Sequence, residues 1–155
     1  MSGEQPGAVG QIRIARADRG PDVQVLVIEI HHGHVQALLC GDEYCSATET
    51  DAVLEPSITG LRHRVLVHGD VSAPILEDRL GEVLGSISPG LVARIVLRGR
   101  GLDFTSTDLG RGRAILSEAD PRWDWKLDRH KQMRRVRARA RELGWHMFSL
   151  GSADK

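Results

Sequence analysis

The chain has 155 residues, 41% hydrophobic and 27% charged, proportions that suit a folded domain and exclude a broadly disordered polymer. No apolar run approaches the roughly 20 residues of a bilayer-spanning helix, so a cytoplasmic protein without a membrane partner is expected. Formal net charge is zero, yet residues 1–120 carry 11 Lys and Arg against 17 Asp and Glu, while residues 121–155 carry 10 against 4. Such a division suggests a basic tail that either binds phosphate or matches the acidic body of its own chain.

Residues 1–9 are polar and rich in Gly and Pro, which predicts a flexible N-terminus. Gln11-Ile12-Arg13-Ile14-Ala15-Arg16 then alternates as a strand, and Arg19-Gly20-Pro21-Asp22 breaks the chain before the buried strand Val23–Ile30. His31-His32-Gly33-His34 forms the tip of a hairpin to Val35–Cys40, with Gly33 supplying a positive φ. Gly41–Asp51 shows no period, Ala52–Glu55 is short and extended, and Arg64–His68 is an apolar strand expected to close at a Gly69-Asp70 turn.

Leu76–Leu84 supports a helix and a strand equally and stays unassigned. Ser88 as N-cap and Pro89 at the first helical position open a helix to about Arg98, with Leu91, Val92, Ile95 and Val96 on its inner face. Residues 102–119, rich in glycine, read as a linker. Asp120-Pro121 repeats the cap signature for a basic helix running to Leu143 before Gly144. Five strands with short turns predict a small barrel over residues 10–101, a mainly β fold with α, followed by a helical tail over 120–155.

Cys40 and Cys45 lack the second pair that a zinc ribbon needs and read as structural thiols. His31, His32 and His34 have no carboxylate or Cys at ligand spacing and read as a surface tip, so neither a metal nor another cofactor is expected. In the tail, Met133, Val136, Ala140 and Leu143 form a narrow apolar stripe. Around it stand Arg122, Lys126, Arg129, Lys131, Arg134, Arg135, Arg137 and Arg139, flanked by Trp123, Trp125 and Trp145. Aromatic faces beside cations suit stacking on single-stranded bases as well as docking against the barrel.

Val25-Leu26-Val27-Ile28, set beside Gly10-Gln11-Ile12, Ala47-Thr48-Glu49-Thr50-Asp51, Gly60-Leu61 and Leu84-Gly85-Ser86-Ile87-Ser88, resembles the MazF/PemK-type toxins of bacterial toxin-antitoxin systems. The resemblance covers residues 10 to about 101. It implies an SH3-like barrel of the MazF/CcdB type with a terminal helix, a homodimer, and RNA and an antitoxin protein as partners. It also implies metal-independent cleavage of single-stranded RNA by an Arg and a Ser or Thr. This chain has Val23-Gln24 where the Arg is expected and Gly41 where the hydroxyl is expected. Substitutes would have to come from Arg13, Arg16 or Arg19, with Thr48 or Ser46 as the hydroxyl; the alternatives are a non-catalytic RNA- or protein-binding barrel and a CcdB-like inhibitor of a protein target.

Overall fold

The computed structural model describes residues 7–102 and 115–144. Six antiparallel strands, β1 (Gln11–Ala15), β2 (Val23–Ile30), β3 (His34–Gly41), β4 (Ala52–Leu54), β5 (Val65–Leu76) and β6 (Leu80–Ser86), form one sheet in the order β4-β5-β3-β2-β1-β6. Its two edges, β4 and β6, are not paired to each other, so the expected barrel is an open sheet. The hairpin tip forms as expected: His31 N–H donates to the His34 carbonyl at 2.9 Å and Gly33 has φ of 80°.

Strand alternation builds a core on each face of the sheet. Val23, Val25 and Val27 of β2 join Val35, Ala37 and Leu39 of β3 in one cluster. Leu26, Leu38 and Cys40 lie in the other. Burial pushes the Cys40 thiol well above its usual range and leaves it unreactive.

β5 exchanges faces part-way along its length. Leu39 pairs with His68 while its neighbour Leu38 pairs with Ser72, so β5 spends four residues where β3 spends one. Val65 and Val67 therefore belong to the second cluster, whereas Val71, Ala73 and Ile75 belong to the first. Gly69 and Asp70 sit inside this continuous strand rather than in a closing turn. A Cβ on Gly69 would lie 2.2 Å from the Thr50 carbonyl oxygen and 2.9 Å from Gly99 Cα, which only glycine tolerates. The ambiguous stretch after β5 resolves into a 3-10 turn, Glu77–Arg79, followed by β6.

Helix α1 (Pro56–Thr59) is a single turn. In α2 (Pro89–Gly99) the Ser88 hydroxyl accepts a bond from Leu91 N–H at 3.2 Å, and Val92 and Ile95 pack into the second cluster. Helix α3 (Pro121–Arg134) is capped by Asp120, whose carboxylate accepts from Arg122 N–H at 3.0 Å. It stops nine residues before Leu143. Met133 and Val136 enter the first cluster, and the Ala138 N–H donates to the Pro74 carbonyl of β5 at 2.7 Å. That backbone bond and the burial of Val136 and Ala138 pull the chain out of helical geometry, and helix resumes only at Ala140. Ala140 of the expected stripe is exposed, and Trp145, residues 1–6 and most of the expected linker lie outside the described residues.

Candidate functional site

The basic tail and the acidic body meet at Asp51, which follows the loop after β3 and is fully buried. Thr48 N–H donates to its Oδ2 at 2.9 Å, and Lys126 Nζ of α3 donates to its Oδ1 at 2.8 Å. His68 Nδ1 of β5 lies 3.5 Å from Oδ2, and Arg98 of α2 donates to the Asp51 carbonyl at 3.3 Å. Burial opposes ionisation of Asp51, but the His68 and Lys126 contacts outweigh it and hold the carboxyl below its usual range. Lys126 also donates to Asp70 at 2.8 Å.

This cluster lies on the sheet face that α3 crosses. Gln24 pairs with Cys40, so the strand ends Val23 and Gly41, where the family resemblance places its Arg and hydroxyl, are neighbours across β2 and β3. Val23 is buried in the first core cluster, and Gly41 is bare. A Cβ on Gly41 would stand 3.8 Å from His68 Nε2, a buried nitrogen without a partner among the described residues. The imidazole therefore stands beside the position where a family hydroxyl is expected, and Lys126 caps its other nitrogen at 3.4 Å.

The residues that could replace the missing pair are not brought together. Arg13 is only 2% exposed; its Nε and Nη2 both donate to the Gly81 carbonyl, at 3.1 and 2.8 Å, tying β1 to β6. Thr48 is buried, with its hydroxyl within bonding distance of Thr50 and Asp51. Ser46 is buried too and donates to the Glu43 carbonyl. Arg16 and Arg19 are exposed on the β1–β2 connection, with Arg16 donating to the Asp78 carbonyl. Arg13 and Thr48 thus hold the fold, which neither their charge nor their hydroxyl announces in the sequence.

The tail's cations divide by helix face. Arg122 donates to the Ala47 carbonyl at 2.9 Å and to Asp120, Lys126 enters the Asp51 cluster, and Arg129 pairs with Glu43 and Asp128. These three bind the body. Lys131, Arg134, Arg135, Arg137 and Arg139 face solvent, as do Trp123, Trp125 and Leu127. Sequence reasoning missed the acidic partners Glu43, Asp51 and Asp70, because each is separated from its cation by more than fifty residues. The opposite charge of the two segments was the one legible signal.

At the hairpin tip His31 and His34 stack with ring centroids 4.8 Å apart, and His31 Nε2 lies 3.2 Å from Glu29. No group of three His, Cys, Asp or Glu among the described residues could hold a metal ion. No helix among the described residues is long and apolar enough to cross a membrane.

No family model matches the sequence, and no curated protein matches it. Solved structures do. An endoribonuclease in complex with its cognate antitoxin, from a mycobacterial species, is 19% identical at a TM-score of 0.51, with 64% of this chain and 99% of that chain covered. The Mycobacterium tuberculosis toxin MazF-mt6 is also 19% identical, at a TM-score of 0.47 over 61% of this chain and 99% of that one.

Proposed function

The chain has the fold of MazF-type toxins, and from that premise we propose that it acts on single-stranded RNA as a binding module, without the family's Arg and hydroxyl cleavage pair. One observation carries the reading: the body takes up Arg122, Lys126 and Arg129, while Lys131, Arg134, Arg135, Arg137 and Arg139 remain on the surface with Trp123 and Trp125. Five surface cations supply phosphate affinity, and the indoles supply sequence-tolerant stacking worth about 1–3 kcal/mol per base. The burial of Arg13 and Thr48 supports binding over cleavage. An antitoxin-type protein and a second copy of the chain are the further partners this reading carries.

The test is titration of a labelled, unstructured RNA in EDTA at rising salt. If all five cations contact phosphate, log Kobs falls with log salt at a slope of about −3.5, taking roughly −0.7 per single-strand phosphate. Replacing Arg134, Arg135 and Arg137 by Gln should flatten it to about −1.5. Absence of binding would refute the reading, and cleavage in EDTA would replace it with an enzyme built on Arg16 or Arg19.

A further inference from the structure

Where helix α3 ends, the tail crosses the open end of the sheet and encloses a recess of about 110 Å³. Six guanidinium-bearing residues line it: Arg16 and Arg79 from the body, and Arg134, Arg135, Arg137 and Arg139 from the tail. The acidic residues there are Asp18 and Glu142 in the lining and Asp78 beside Arg79, which leaves three positive charges in excess. Arg79 is paired with Asp18, and Arg16 donates to the Asp78 carbonyl, so the body side is held in place. The tail side is held by the Ala138 bond to Pro74 and by the Arg139 N–H, which donates to Glu142 Oε1 at 3.0 Å.

Like charges gathered around one recess repel, and an anion bound there offsets part of that repulsion. Guanidinium forks match phosphate oxygens in pairs, which favours phosphate over a spherical anion. The recess has room for roughly four water volumes, enough for a phosphoryl group and too little for a base. A phosphate monoester carries about −1.5 to −2 charges at pH 7, a closer match to the excess than the single charge of a backbone diester.

We propose that this recess binds a terminal phosphate monoester, the phosphorylated end of the RNA strand. The inference rests on the RNA reading above and adds to it an end-specific contact. Inorganic phosphate shares the ligand chemistry and serves as the second probe.

The experiment compares anisotropy titrations of one labelled hexanucleotide with a 5′-phosphate or a 5′-hydroxyl, with and without inorganic phosphate. The full chain is used, alongside R135Q and R137Q variants whose circular dichroism matches the parent. We expect the phosphorylated strand to bind at least about tenfold tighter, with the preference competed by inorganic phosphate and lost in R137Q. Equal affinity for both strands overturns the phosphate-end inference and leaves RNA binding standing. Failure to bind either RNA, with a phosphate-induced rise in Tm that R137Q abolishes, overturns the RNA reading and supports the recess as a site for free phosphate. No effect of phosphate on Tm together with no RNA binding overturns both.

Discussion

Lys126→Met removes the cation that reaches the buried Asp51 carboxylate at 2.8 Å. Losing one partner of a buried pair costs about 3–5 kcal/mol. Here Lys126 keeps some contact with water, its side chain being 11% exposed, and Asp51 retains the Thr48 N–H and His68. The expected loss is therefore about 2–3 kcal/mol at pH 7, or roughly a 1 M fall in the urea midpoint. Trp123 and Trp125 lie on the same helix, so in a Trp145→Phe background tryptophan fluorescence follows α3 while circular dichroism follows the whole fold. The pH dependence fixes the cause. Asp51 is held below its usual carboxylate range, so its contribution is present above the unfolded-state value of about 3.9 and is lost as pH falls through the folded value. In Lys126→Met the uncompensated carboxyl takes a proton more readily, and the difference from the parent should shrink on acidification. Superimposable denaturation curves at pH 7, or a difference undiminished in acid, would refute the assignment of Asp51 as the anchor of α3.

Other substitutions separate scaffold from surface. Arg13→Met should lower stability by about 2–3 kcal/mol, by leaving the Gly81 carbonyl unpaired between β1 and β6. The folded fraction should bind RNA with parental affinity in anisotropy titrations; a selective loss of binding would return Arg13 to the site. Gly69→Ala should prevent folding or cost more than about 3 kcal/mol because of the Thr50 carbonyl, whereas Gly90→Ala, in open space within α2, should be neutral or stabilising by up to about 1 kcal/mol. Paired thermal melts decide it, and a tolerated Gly69→Ala would count against the close approach of β5 and α2. Ser88→Ala removes the bond to Leu91 N–H and should cost about 1 kcal/mol by chemical denaturation; an unchanged midpoint would mean that the cap adds nothing.

Local signals read well in this sequence because each depended on neighbours in the chain. Ser88-Pro89 and Asp120-Pro121 announced the starts of α2 and α3, and Gly33 announced its hairpin. Those that failed were set by distant contacts. The end of α3 depends on a bond from Ala138 to Pro74, and no helix-stop residue marks it. Gly69-Asp70 resembles a turn, yet the approach of Gly99 keeps it within a bulged strand. Arg13 looked like a free cation because nothing nearby in sequence foretells a carbonyl 68 residues away. The position beside Gly41 was legible as an absence of a hydroxyl, while the imidazole standing next to it comes from β5 across the sheet.

Met133 and Val136 complete the cluster that the first 80 residues otherwise build alone. During synthesis the sheet strands leave the ribosome well before these two side chains, at about 5–20 residues per second. For several seconds the nascent sheet carries a bare apolar face beside an unneutralised Asp51, a natural surface for a chaperone and a hazard for neighbouring chains. The tail thus arrives after the sheet it covers, and its delivery sets when that apolar face is closed off.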